Sequence, residues 1–483
     1  MKVIGLWIGP LLFAVSVLSP PLEGVTEIGM RTLGIFLWTA SWWFTEAIPI
    51  PATSFFSLAM LVLCGVLPVQ GAFVTWSNWI VIFLLGAFII GHAVTVHGLA
   101  RRIAYHMAGS SIVAGNPWRL LMVFGIGAAI MSPILSNVIT TVVFLSIALG
   151  LVKSLDLERG TRYPEVLFLS IAWGSTMGGI ATPIGAPTNL IVIGVANSLD
   201  YRIGFLEWMM ICVPMTVIGL VAMFFVIRFV LRPEKPERWL SPSYLKEELT
   251  KLGPWNQGEK LSATVFATAM FLWLLPDVLP LFLTGGRQHP WSAWVTTHLD
   301  WSVTALIMAT SLFVLPVDWK NRKFVMTWDE AVKGVEWGTL ALIAAALALG
   351  NALANRTLGL GQFLEQGITA FSSSAGSELI FVFGVVTFTA VMTSFVSNIA
   401  AVSMVGALVQ GMGASAGINP IALLVAVGVA ASMAFPLPVG TPYNAMVFAS
   451  GYVRMGQVAP RRSIHRIATC EIVLCKAILS RSF

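Results

Sequence analysis

Residues 134–141 read ILSNVITT, and residues 395–402 read FVSNIAAV. Each places a Ser-Asn pair, Ser136-Asn137 and Ser397-Asn398, near the middle of an apolar stretch. Those stretches, about 118–152 and 377–415, are too long for one membrane crossing. They read as hairpins that enter the membrane and turn back at the polar pair. Two polar side chains spent twice in the same setting call for a reason.

The surroundings set the fold class. The chain has 483 residues, of which 57% are hydrophobic and 10% charged, against about 25% charged in an ordinary soluble domain. Mean hydropathy is +0.85. Apolar runs of span length recur throughout, at about 3–20, 30–48, 50–67, 79–97, 165–196, 205–231, 261–283, 299–316, 335–354 and 420–451. This is an all-α polytopic membrane protein. The polar/apolar alternation of a transmembrane barrel is missing. The net charge of +6 sits in loops between spans and does not point to nucleic acid. The four cysteines, Cys64, Cys212, Cys470 and Cys475, have neither disulfide nor zinc spacing. The run from Val3 to Leu18 reads as the first span, because it carries no clear cleavage site for a leader.

Loop charges orient the spans. With the N-terminus cytoplasmic and both hairpins re-entrant, all of the 28 Lys and Arg residues except Arg31, Arg202, Arg287 and Arg356 fall on the inner side. Counting either hairpin as a full span puts the following basic loops outside. The polar stretch 232–260 divides the chain into a first half, 1–231, and a second half, 261–459, and reads as a cytoplasmic linker with a short amphipathic helix.

The halves repeat. Trp79, then Ser136-Asn137, then GAPTN at 185–189 is matched by Trp337, then Ser397-Asn398, then GTPYN at 440–444. By the charge rule the hairpins open to opposite sides, so the repeats are inverted. Inverted repeats with interrupted hydrophobic segments in matching places point to a transporter site at the midplane. Gly and Pro in the G-x-P-x-N elements break a helix there, which is tolerated only beside protein or a water-filled cavity. Freed carbonyls suit a hard cation such as sodium, and freed amides at a helix N-terminus suit an anion. An asparagine serves either. One such motif alone is more often a contact between helices; four in matching order argue for a site.

These residues resemble the divalent anion/sodium symporter family, which carries di- and tricarboxylates or sulfate. The likeness runs through WWFTEAIPIPAT at 42–53, FLLGAFIIGHAVTVHGLARRIA at 83–104, GGIATPIGAPTNLIVIG at 178–194 and AFPLPVGTPYNAMVFASG at 434–451. The family marks each hairpin tip with Ser-Asn-Thr. The resemblance implies a secondary active transporter of a small divalent anion such as a C4 dicarboxylate, coupled to sodium, with no other cofactor. Ser136, Asn137 and Gly185 are then expected at one sodium site and Ser397, Asn398 and Gly440 at the other. Asn137, Asn398, Thr188, Asn189, Thr441 and Asn444 are expected around the anion. It further implies a homodimer in the lipid of the cell (inner) membrane, with an elevator-like movement of the transport part. Two departures stand out. Val138 and Ile399 replace the motif threonines, so the pocket lacks two hydroxyls. The tail 460–483 offers only about thirteen semi-apolar residues where the family has a further span.

Alternatives are a sodium-independent anion exchanger, a sulfate or tricarboxylate carrier, a channel, and an intramembrane enzyme. The last would need a catalytic dyad or metal cluster, and the sequence offers none. His92 and His97 are five apart, off one helix face, and read as packing residues. Glu46 reads as a structural cap or loop anchor, GSTMGG at 174–179 as a close-packing stripe, and Trp42, Trp43, Trp76, Trp79, Trp291, Trp294 and Trp301 as an interfacial belt.

Overall fold

The structure is a computed structural model. It describes residues 2–110, 116–234, 247, 249–363, 366, 378–393, 396–412, 419–433 and 441–453. Gly440, most of the 232–260 linker and the tail 460–483 lie outside the described residues, as do parts of the second hairpin stretch.

The first half runs α1 (Lys2–Leu18), α2 (Glu27–Thr45), α3 (Ile50–Leu63), α4 (Val69–Phe73), α5 (Trp79–Val96), α6 (Leu99–Ala108), α7 (Pro117–Leu135), α8 (Asn137–Ser154), α9 (Arg162–Ile180), α10 (Pro187–Ser198) and α11 (Phe205–Val226). The second half runs α12 (Gln257–Phe282), α13 (Pro290–His298), α14 (Trp301–Ser311), α15 (Trp328–Gly334), α16 (Trp337–Ala354), α17 (Glu378–Thr393), α18 (Asn398–Met412), α19 (Pro420–Ser432) and α20 (Pro442–Ala449). A two-stranded hairpin, β1 (Pro316–Asp318) with β2 (Lys323–Phe324), sits between α14 and α15. Among the described residues, six helical stretches are long and apolar enough to cross a membrane.

One succession of elements occurs twice. A long helix (α5 or α16) precedes a helix pair that meets at a Ser-Asn (α7–α8 or α17–α18). A helix then stops short and restarts (α9 then α10, or α19 then α20). The halves interlock across these restarts. The α10 segment packs on α16, α18 and α19, whereas α20 packs on α8 and α9. Each restarted helix therefore crosses to the hairpin of the other half.

Sequence composition explains which helices go inside. Every residue of α9 from Tyr163 to Ile180 is buried, and α16 and α19 are nearly so, being built from Ala, Leu, Val and Gly. Small residues let these helices approach closely. A Cβ added to Gly174 would fall on the Gly125 backbone of α7, and one on Gly178 would fall on Ala129. The outermost helix shows the opposite pattern. Along α1, Val3, Trp7, Leu11 and Val15 recur every fourth residue and are 54–76% exposed, an apolar stripe that suits lipid.

Three details differ from the sequence reading. The helix breaks precede the G-x-P-x-N prolines: α9 ends at Ile180, α19 ends at Ser432, and Pro187 and Pro442 open the next helix. Proline at the first helical position loses only an N–H that has no partner there anyway. Trp43 and Trp301 are not belt residues but buried core, at 1% and 5% exposure. Trp301 stacks edge-on with Trp79 and Phe205, and its carbonyl accepts the Trp273 indole N–H at 3.2 Å. The connector is also tied into the fold at its end. Arg102 on α6 and Glu259 on α12 form a buried bidentate pair at 2.8 and 3.0 Å. Arg102 also donates to the carbonyls of Gly253 and Leu252 at 2.8 and 3.1 Å.

Candidate functional site

The first tip is a sharp corner. Ser136 ends α7 and caps α8 with φ +75° and ψ 154°, a region essentially reserved for glycine and worth about 1–3 kcal/mol of strain. Its hydroxyl is buried and has no hydrogen-bond partner. Asn137 opens α8 and is 6% exposed. Its side-chain oxygen accepts the Ser132 hydroxyl. Its backbone carbonyl accepts the Ser175 hydroxyl of α9 at 2.9 Å.

The second tip repeats the arrangement. Asn398 opens α18 and is 7% exposed. The hydroxyl of Thr393, again five residues earlier, lies 2.6 Å from its side-chain oxygen and 2.7 Å from the Ala431 carbonyl of α19. At the first tip the Ser132 hydroxyl donates to the carboxamide oxygen, and at the second the Thr393 proton is shared between the Asn398 oxygen and the Ala431 carbonyl.

Both asparagines lie beside one residue, Tyr443. The Asn398 amide donates to the Tyr443 hydroxyl at 3.3 Å. The Asn137 carboxamide and the hydroxyls of Thr176 and Thr441 are the other polar neighbours of that phenol. Tyr443 belongs to the first turn of α20, so the N-termini of α8, α18 and α20 meet around a single buried oxygen. Helix N-termini carry partial positive charge and inward-facing N–H groups. The described residues bring no Lys or Arg side chain to this point; the buried Arg102 is neutralised by Glu259 elsewhere.

The other expected site residues hold the breaks. The Asn189 amide donates to the carbonyls of Gly179 and Thr182, both at 2.8 Å. The Thr188 hydroxyl pairs with Ser432 at 3.1 Å and so ties α10 to α19. Thr441 caps α20 by accepting the Asn444 N–H at 3.2 Å. Gly185 packs so closely that an added Cβ would lie 2.9 Å from the Gly179 Cα. Ser397 is half-buried just before α18. At the first break, the Ile180 and Met177 carbonyls accept Trp208 and Thr216 at 2.9 and 3.0 Å. Each such carbonyl keeps a second lone pair. The structure thus gathers Asn137, Asn398 and Thr441, with Thr188 and Asn189 bracing from behind.

Sequence reading missed Ser132, Ser175, Thr176, Thr393 and Tyr443. The five-residue offset of Ser132 and Thr393 from their asparagines was visible as a shared spacing. Tyr443 stands inside the quoted GTPYN. Of the residues set aside, Glu46 ends α2 in the left-handed region with its N–H on the Trp42 carbonyl, and His97 contacts the Val325 carbonyl at 2.6 Å. Among the described residues no cluster of His, Cys, Asp and Glu could hold a metal ion.

Paired helix breaks that meet at a buried, donor-lined centre within a bundle of apolar helices define an integral-membrane transporter. The chain belongs to the citrate transporter family, whose profile matches residues 40–418 and 291–460. The kinship with divalent anion/sodium symporters is borne out by relatives. The sodium-dependent dicarboxylate transporter SdcS of Staphylococcus saprophyticus is 29% identical over 469 residues, covering 95% of this chain and 87% of the relative. Its counterpart in Staphylococcus aureus is 28% identical over the same lengths. Two solved structures share the fold. The YdaH transporter of Alcanivorax borkumensis has a TM-score of 0.56 at 15% identity, covering 99% of this chain and 98% of that one. MtrF of Neisseria gonorrhoeae has a TM-score of 0.61 at 12% identity, covering 99% and 94%.

Proposed function

We propose that this protein is a secondary active transporter that moves a small divalent anion, such as a C4 dicarboxylate, in symport with sodium. The observation that carries the reading is the convergence of the Asn137 and Asn398 carboxamides, one from each half, on one buried point at three helix N-termini. Among the described residues that point offers donors and partial positive charge but no fixed cation. A dianion bound there is left under-compensated, and co-bound sodium supplies the missing charge. The strained Ser136, with its unpartnered buried hydroxyl, is a hard oxygen ligand waiting for such an ion. The names of the staphylococcal relatives, sodium-dependent dicarboxylate transporters, agree.

The same reading takes the repeats as inverted, the Ser-Asn tips as re-entrant and the N-terminus as cytoplasmic in the cell (inner) membrane. A homodimer with an elevator-like movement of the hairpins and broken helices completes it. The test is uptake of radiolabelled succinate, citrate and sulfate into proteoliposomes. The reading expects uptake of at least one to be driven by an inward sodium gradient. Uptake that is equal when choline replaces sodium favours an exchanger.

A further inference from the structure

The centre of the site is already filled by the protein. The phenolic oxygen of Tyr443 accepts the Asn398 amide and has Asn137, Thr176 and Thr441 beside it, and the residue is 5% exposed. A phenol offers one O–H and two lone pairs, so it makes at most three good hydrogen bonds. Four side chains surround it. The Asn137 oxygen accepts the Ser132 hydroxyl, the Asn398 oxygen shares the Thr393 proton with the Ala431 carbonyl, and the Asn398 amide donates to the phenol. The Thr176 hydroxyl lies 2.8 Å from the Ala172 carbonyl as its donor, and Thr441 accepts a backbone N–H; their remaining lone pairs suit the phenol proton. The phenol therefore accepts from the Asn398 amide, with Asn137, Thr176 and Thr441 as its further polar neighbours. Acceptance from an inward-facing amide is the role an anionic oxygen would have.

We propose that Tyr443 is a built-in occupant of the anion seat: its hydroxyl takes the Asn398 amide donor that a bound anionic oxygen would take. The inference rests on the reading of the site as an anion site. Binding is then an exchange of a neutral acceptor for a charged one, with no bond made or broken. A hydrogen bond to an ionised oxygen is roughly twice as strong as one to a neutral oxygen. The exchange accordingly favours ionised ligands and rejects neutral ones of the same shape. Tyr443 sets specificity by competing for the seat, and a neutral ester or amide does not displace it.

Equilibrium binding to the purified protein tests this, with succinate, citrate and sulfate as probes and the neutral dimethyl ester of succinate as the uncharged comparison. Tyr443→Phe keeps the ring and removes the occupant, leaving the Asn398 amide without this acceptor. The expected result is roughly tenfold tighter binding of the anion and a smaller gap between succinate and its ester. Weaker binding would mean that the phenol donates to the anion, and unchanged binding would mean that it never leaves; either overturns the proposal. Native protein that binds none of the three anions overturns the reading of the site and this inference with it. Native binding with a Tyr443→Phe result of the wrong sign overturns this inference alone. Should the variant fold poorly, infrared difference spectra of native protein carrying ring-labelled tyrosine replace it. The phenol C–O band is expected to shift on adding succinate, and an unchanged band contradicts the exchange.

Discussion

Gly179→Ala is the smallest change that reaches the centre. A Cβ on Gly179 would lie 2.7 Å from the Asn137 Cγ and 2.8 Å from its amide nitrogen, well inside the ~3.5–4.0 Å of an ordinary carbon contact. The carboxamide must retreat by roughly 1 Å. It cannot do so and keep the Ser132 hydroxyl on its oxygen, and losing that bond costs about 1 kcal/mol of stability. The larger effect falls on the anion. An amide N–H to an ionised oxygen contributes about 1.5–3 kcal/mol, so binding should weaken by roughly 10–100-fold. Gly384→Ala is the control, because its Cβ meets nothing within 4 Å and alanine is the better helix former. The assay is radioligand binding of succinate, citrate and sulfate to purified protein, with thermal unfolding followed in parallel. Native affinity in Gly179→Ala, at a lowered unfolding temperature, would show that Asn137 packs the bundle without touching the anion.

Other perturbations separate strain, charge and specificity. Ser136→Ala and Ser136→Gly both remove the orphan hydroxyl and should abolish the stabilisation by sodium seen in a thermal-unfolding series against choline. The glycine variant also relieves about 1–3 kcal/mol of backbone strain and should unfold at the higher temperature of the two. Arg102→Ala strands the buried Glu259 carboxylate and should cost about 3–5 kcal/mol in a detergent unfolding assay. Replacing both partners by methionine should recover most of that loss. Val138→Thr with Ile399→Thr adds two hydroxyls beside the asparagines and should strengthen dicarboxylate uptake; no gain in the uptake rate at low substrate would place those side chains away from the anion.

Much of this architecture could be read in the sequence because membrane burial restricts what a chain can do. Apolar runs too long for one span, interrupted by Ser-Asn, have few outcomes besides two helices meeting at a corner, and the structure puts those corners at Ser136 and before Asn398. The prolines of the G-x-P-x-N elements marked the restarts because proline cannot continue a helix but can begin one. What stayed hidden depends on contacts distant in sequence. Tyr443 looks like one more aromatic in an apolar helix, and its role arises only because α20 crosses to the hairpin of the other half. Arg102 was counted as a loop charge, although it is buried against Glu259, 157 residues away. Ser132 and Thr393 act across a helix break, where the usual three-to-four-residue periodicity gives no warning. The tryptophan belt was misread at Trp43 and Trp301 because composition gives the depth of a residue in the membrane less well than its partners do.

The central claim is that one anion sits between the two Ser-Asn tips. Its most direct measurement is anion binding by Asn137→Ala and Asn398→Ala, each purified alone and matched for folding by thermal unfolding. The account predicts that both lose roughly 10–100-fold in affinity for the same anion, since each supplies one charge-assisted hydrogen bond from its own half. Native affinity in both variants would contradict it and leave the Ser-Asn pairs as packing residues.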